Sequence, residues 1–380
     1  MFATDHFILL RKRILNLQMF SKGYSNQTAS PKRLRRRNFF FGLFIVFICL
    51  WVFTGSRDKD ILEPVAIKKH GTAIIITGAA AKISQEAALL EHLDNIGMLK
   101  DVVFISGASS GSLNAAVLNA ILNGKYTWKE YKEILGRLTN DDIFIKNGNK
   151  LPVNTEPLRS LITSIVSDRL GYITLADLPY PTSFSVVNSK VLPLRDRTFR
   201  LSNRKINSES DSTLNIVDVL MASASYPLAF PPVFIRNVKT IPNVPYLDGG
   251  IAADHVPYHA LIEFEKSRGI EVEKMIIISR KRDTISNFNE ELQLFGIDKY
   301  KFLDKMGFSP EALSNKGFYK RLRELQKDIP SLAERTYVYV PDFKEDFLMF
   351  DFSNLNLQYE VTSQWAQTHR PIPLNEYIKR

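Results

Sequence analysis

The chain has 380 residues, 45% hydrophobic and 24% charged, enough for one large domain or two small ones. Its net charge of +10 is concentrated in residues 1–38, where nine Lys/Arg face the single acid Asp5; the remainder has 41 basic and 39 acidic residues, which argues against a nucleic-acid partner. The single cysteine, Cys49, excludes disulfides, thiolate metal sites and a cysteine nucleophile from everything downstream of it.

Residues 1–37 read as a basic cytoplasmic tail, in which "FILLRKRILNLQMF" has the pattern of a basic amphipathic helix on a membrane surface. Residues 38–56, "NFFFGLFIVFICLWVFTGS", carry no charge. As a helix, their core Phe39–Gly55 spans roughly 25 Å, the short end of a transmembrane segment. A cleaved signal peptide is the rival, since "TGS" places small residues where a peptidase cuts. An uncleaved signal anchor is the favoured reading. The basic cluster "KRLRRR" lies on its N-terminal side, so the positive-inside rule puts the tail in the cytoplasm and the domain across the membrane. Residues 57–70 read as a polar linker.

From 71 onward strands and helices alternate. "AIIIT" (73–77) and "VVFIS" (102–106) are apolar runs of buried strands. Between them Ser84 to Leu99 is helical in pattern, with Ser84 as its N-cap. Ser110 to Leu122 and Thr127 to Leu138 are further helices, the second opened by Thr127. This β-α-β-α order predicts a mostly parallel sheet with right-handed crossovers. "SFSVVNS", "TFRLS", "EKMIIIS" (273–279) and "YVYV" (337–340) are further strands; Leu214 to Ser225 and most of 284–332 are helical. Residues 71–380 read as one α/β domain with a C-terminal helical extension, 284–380.

Two motifs carry chemistry. Gly107-Ala108-Ser109-Ser110-Gly111 fits G-x-S-x-G between a buried strand and a helix, the context of a nucleophile elbow. An ordinary glycine turn is the bland alternative. Ser109 holds the elbow position; Ser106, Ser110 and Ser112 read as turn or cap residues. A serine needs a base. The elbow follows the first strand too soon for the triad of an α/β-hydrolase. "YLDGG" instead offers Asp248 at a strand end, followed by Gly249 and Gly250, which permit close backbone approach. A plain Asp-Gly turn is the alternative here. His255 reads as a cap or surface residue.

The third element is "TGAAAK" after the first strand. As a dinucleotide loop it fails: Lys82 and Ser84 occupy positions that need glycine, and no tyrosine has lysine four residues on. With Ser109 and Asp248, and with "ASASYPLAFPPVFI" (222–235) before the aspartate, the chain over about residues 70–260 resembles the patatin-like phospholipases. The resemblance implies a three-layer α/β domain with a mostly parallel central sheet, here preceded by a transmembrane helix. It implies Ser109 as nucleophile and Asp248 as base, acting on phospholipid or other acyl-ester lipids without cofactor or metal. The oxyanion hole falls to Gly78, Ala79, Ala80 and Ala81, with Lys82, Gly107, Gly111, Gly249 and Gly250 in supporting positions. The loop departs from the family's glycine-rich form. Alanine keeps the N–H donor but resists positive φ, and Lys82 keeps a charge without arginine's fork. A catalytically weak lipid-binding relative, or an acyl transferase using the same serine, is the alternative. The segment 293–308 reads as core packing, with a lid as its rival.

Overall fold

The structure, a computed structural model, describes residues 69–190, 198–284, 288–297 and 309–379. The expected basic tail, anchor and most of the linker lie outside the described residues. So does 298–308, the greater part of the segment 293–308. Among the described residues no helix is long and apolar enough to cross a membrane.

One sheet organises the domain. Its strands are β1 (Thr72–Ile76), β2 (Val102–Ala108), β3 (Thr182–Asn188), β4 (Thr198–Ser202), β5 (Tyr246–Asp248), β6 (Lys274–Ile278), β7 (Thr336–Tyr339) and β8 (Ile372–Pro373). The order is β4-β3-β2-β1-β6-β7-β8, and β5 pairs with β3. The pairs among β3, β2, β1, β6 and β7 are parallel, while β4, β5 and β8 join antiparallel. The expected mostly parallel sheet is observed. β7 and β8 complete it, so the chain beyond 284 is part of the sheet layer as well as helical.

Alternation along the strands sends side chains to two faces. Ile74, Ile76 and Ile105 pack beneath α1 (Ile83–Asn95), α2 (Ser110–Leu122), α3 (Trp128–Leu135), α4 (Glu156–Ile162) and α5 (Ile216–Ser223). Ala73, Ile75 and Phe104 face α6 (His259–Arg268). After the short α7 (Phe288–Leu294), the opposite layer continues with α8 (Pro310–Asp328) and α9 (Pro330–Ala333). Then α10 (Leu355–Thr368) returns to pack on α1, and α11 (Leu374–Tyr377) closes the described chain. The result is three layers. Thr127 caps α3 as expected, in a reciprocal capping box with Glu130. Ser84 does not cap α1. A single 3-10 turn, Ala80–Lys82, precedes that helix, and Ser84 lies buried within its first turn.

The register of β3 places the site. β2 runs beside β3 until Ala108 faces Ser185; then β5 takes over on the same edge, with Asp248 facing Val186. β4 occupies the other edge of β3 at Val186, which leaves no other side for β5. The end of β2 and the end of β5 therefore meet head to head, which brings together Ser109, the residue after β2, and Asp248, the last residue of β5.

Candidate active site

Ser109 lies between β2 and α2 at φ +56°, ψ −135°, a region that non-glycine residues avoid at a cost of about 1–3 kcal/mol. The turn is possible because its flanks lack side chains. A Cβ at Gly107 would lie 2.5 Å from the Gly111 carbonyl oxygen, and one at Gly111 would lie 2.2 Å from that of Thr77. The Ser109 N–H is held by Ser223 Oγ at 3.0 Å, and Ser223 in turn donates to the Ser185 carbonyl at 2.8 Å.

Asp248 is 1% exposed and Ser109 8%. The Gly250 N–H donates to Asp248 Oδ1 at 2.7 Å. Oδ2 is buried with no hydrogen bond of full geometry. The Ser109 hydroxyl lies near enough to stabilise the charged carboxylate in part, but burial outweighs it and raises the Asp248 pKa to about 7. Gly249 is needed where it stands: a Cβ there would be 2.1 Å from the Ser185 carbonyl oxygen. The following Asp254 turns away from the site. Burial would raise its pKa, but Arg200, at 2.9 and 3.0 Å, holds it well below the usual carboxylate range. Arg200 thereby secures the loop behind Asp248.

The loop after β1 sits against the serine. A Cβ on Gly78 would approach Ser109 Cβ to 2.9 Å, so the one glycine kept in "GAAAK" is the one abutting the elbow. Ala80 takes φ +48° despite its side chain. The expected four donors are not equivalent. The Ala79 N–H donates to Ser110 Oγ at 2.8 Å, and that of Ala81 to the Met349 carbonyl at 2.8 Å. Both are therefore engaged within the protein, so of the four expected donors Ala79 and Ala81 do not present a free N–H to an oxyanion in this structure. The N–H groups of Gly78 and Ala80 have no protein acceptor among the described residues. Lys82 is buried in an ion pair with Glu311, which Arg280 also joins at 2.7 Å. Burial and the Arg280 charge lower the Lys82 pKa to about 8, against the pull of Glu311.

None of the described histidines hydrogen-bonds Ser109. His255 is neither a cap nor a surface residue: it is buried against α8, where a Cβ on Gly317 would strike its ring at 2.4 Å. Burial and the cations Arg321 and Arg282 push it down to about pKa 3. His259 lies 3.6 Å from Asp254, and His369 stacks on Trp365.

Ser109 lines an apolar cavity of about 80 Å³. Leu113 and Val117 continue its wall along one face of α2. Val117 stands eight residues from Ser109, which on a helix is about 12 Å. α3, α4 and the π-helical stretch Thr163–Arg169 close the other sides. Tyr226 and Phe230, from the "FPP" segment, line the same cavity. The Tyr131 hydroxyl donates to Asn114 Oδ1 at 2.7 Å. The remaining wall is almost wholly aliphatic and aromatic.

Ser110 and Ser223 are not singled out as site residues by the sequence. The signals for them are the place of Ser110 within the elbow and that of Ser223 in the stretch "ASASYPLAFPPVFI".

No curated protein matches this chain. Among solved structures it is similar to VipD from Legionella pneumophila, with a TM-score of 0.42 and 12% identity, covering 83% of this chain and 72% of that one. The family model described as patatin-like phospholipase matches residues 74–262, the span that holds the loop, the elbow and the aspartate, and this part of the chain is a patatin-like phospholipase domain, of a family of lipid acyl hydrolases.

Proposed function

We propose that this protein is a membrane-anchored serine acyl hydrolase that cleaves acyl-ester lipids through Ser109 and Asp248. One observation carries the reading: a buried carboxylate with a raised pKa stands beside a strained serine at the head of an apolar cavity. The acyl chain occupies that cavity. Asp248 accepts the Ser109 proton as Oγ attacks the ester carbonyl. The carbonyl oxygen becomes an oxyanion, met by the N–H groups of Gly78 and Ala80 and by the positive end of α2. The leaving alcohol takes the proton from Asp248. Water, deprotonated by the same carboxylate, then attacks the acyl-serine; the acyl–Oγ bond breaks, Ser109 Oγ takes the proton back from Asp248, and the fatty acid is freed.

Residues 38–56 anchor the protein in this reading, with the basic tail on the cytoplasmic side and the domain opposite. Their lack of charge supports it. An anchor raises the local concentration of enzyme at the bilayer. Removing residues 1–56 should lower hydrolysis of vesicle lipid far more than hydrolysis of a soluble ester; equal losses would remove the anchor from the account.

The chemistry is tested with a fluorophosphonate probe. Labelling of wild type, lost in Ser109→Ala, is expected. A second reading, a weakly active lipid-binding relative, is favoured by the engagement of the Ala79 N–H with Ser110. Losing one oxyanion donor costs about 10²–10³ in rate. A folded wild type that binds fatty acid but takes no probe would establish that reading instead.

A further inference from the structure

The segment after β6 reaches back to the loop after β1. The two strands lie side by side and parallel, with Ile76 opposite Ile278, so their C-terminal ends open onto the same rim. Arg282 follows β6 by four residues and is 3% exposed. Its Nε donates to Ser279 Oγ at 2.8 Å and Nη1 to Ser314 Oγ at 3.0 Å. Nη2 donates to Thr77 Oγ1 at 3.0 Å and to the Gly78 carbonyl at 3.3 Å. The guanidinium carbon lies 4.5 Å from the centroid of the Phe318 ring. A planar fork with all three nitrogens engaged and a ring beside it has one orientation.

The bond to Gly78 acts on a peptide plane that is held from its other side as well. The Ala79 N–H of the same trans peptide donates to Ser110 Oγ. Carbonyl and N–H point opposite ways across that plane, so Arg282 and Ser110 together fix its rotation. The two N–H groups left over, those of Gly78 and Ala80, flank it on either side. The loop needs such support, because Ala80 sits at φ +48°, which alanine resists.

We propose that Arg282 is a positioning residue for the oxyanion loop: by holding the Gly78–Ala79 peptide, it aims the adjacent N–H groups at the oxyanion that forms on the acyl carbon. Arg282 lies outside the residues that match the family model. The inference rests on the acyl-serine reading. The competing role is purely structural, since Arg282 also faces the buried Glu86, whose pKa burial raises and Arg282 opposes.

Two variants separate the roles. Arg282→Lys keeps a cation for Glu86 but loses the fork, and Arg282→Ala leaves space for free guanidinium. A soluble p-nitrophenyl ester serves as substrate and an alkyl trifluoromethyl ketone as probe. Ser109 Oγ adds to the ketone carbonyl, its proton passes to Asp248, and the ketone oxygen becomes a bound oxyanion. Arg282→Lys is expected to lower kcat about 10–100-fold with KM changed less than about two-fold. Ketone affinity should fall by a similar factor. Guanidinium should restore part of the kcat of Arg282→Ala. A folded Arg282→Lys with wild-type kcat overturns the proposal. So does a loss of kcat with unchanged ketone affinity. If Arg282→Ala does not fold, the Lys variant, with circular dichroism as its control, decides alone. Probe labelling of wild type and Ser109→Ala tests the parent reading separately. Labelling intact, with Arg282→Lys unimpaired, overturns the positioning role alone; wild type without labelling overturns both.

Discussion

Two turns stand side by side at the C-terminal rim of the sheet, one after β1 and one after β2. Both lead from a buried strand into a helix, and both contain a non-glycine residue at positive φ, Ala80 and Ser109. They are held in different ways. The elbow is shaped by its own residues: Gly107 and Gly111 let the backbone pass where a Cβ would clash at 2.5 Å or less. The loop is shaped by residues far along the chain. Arg282 holds the Gly78 carbonyl, Met349 accepts the Ala81 N–H, and Glu311 pairs with Lys82. A turn of the first kind is written locally in the sequence. A turn of the second kind can lose its glycines and keep its shape, provided distant partners hold it.

The elbow is the more sensitive of the two, and the largest predicted effect lies at its base. Asp248→Asn keeps the shape of the side chain but cannot take a proton. It should lower kcat/KM by about 10²–10⁴-fold. The same change should stabilise the fold at alkaline pH. The carboxyl has a reference pKa of 3.8, raised to about 7 by burial. Below 3.8 both folded and unfolded states hold the proton. As pH rises toward 7 the unfolded chain releases it and the folded one does not, so stability falls. Above 7 the charge is buried and the cost is complete, about 4 kcal/mol. Asp248→Asn should therefore raise the melting temperature at about pH 8 but not at about pH 4. A variant that is inactive and also destabilised at about pH 8 would assign Asp248 a structural role.

The same shift sets the pH profile. Asp248 must be ionised to act as a base. In wild type, kcat/KM should rise about ten-fold per pH unit up to about 7 and level off above it. Stopped assays on a soluble ester check this. A flat profile through that range would mean that another group accepts the proton.

The contrast between the turns also explains what could be read from the sequence. β1, β2 and the elbow were legible because apolar runs and flanking glycines specify them within a few residues. Asp248 was legible by its Gly-Gly, and Gly249 is required by the Ser185 carbonyl 2.1 Å from any Cβ there. That Ser109 and Asp248 meet follows from the register of β3, which no local pattern encodes. The unequal donors of the loop were hidden for the same reason. Ala79 is withdrawn by a serine 31 residues away and the Gly78 carbonyl is held from 204 away. Ser84 looked like a cap because its residue type suits one, but the 3-10 turn before it starts the helix earlier. His255 reads as a cap or surface residue from its local sequence, yet α8 covers it with Gly317, which lies far along the chain.

A smaller effect tests the cavity rather than the turns. From Ser109 to Val117 the wall runs about 12 Å along α2, longer than a butyryl chain. Val117→Trp fills its far part. Hydrolysis of a p-nitrophenyl decanoate should fall about ten-fold or more while that of the butyrate is nearly unchanged, since a few methylenes in an apolar pocket carry this much discrimination. An equal fall for both esters would place the acyl chain elsewhere.

The smallest effect bears most directly on the loop. Ala80→Gly removes the resistance to φ +48°, worth about 1 kcal/mol, but frees the unfolded chain by a similar amount. In wild type the two should nearly cancel, leaving stability and kcat within about two-fold of their starting values. The substitution becomes informative beside Arg282→Lys. With the peptide unclamped, alanine at position 80 pulls the loop toward negative φ, whereas glycine accepts the working conformation. Ala80→Gly should then recover part of the activity that Arg282→Lys removes, by about five-fold or a coupling of about 1 kcal/mol. Strictly additive effects in this double-mutant cycle would mean that Arg282 does not hold Ala80 in place. The loop would then keep its shape through Ser110, Met349 and Lys82 alone.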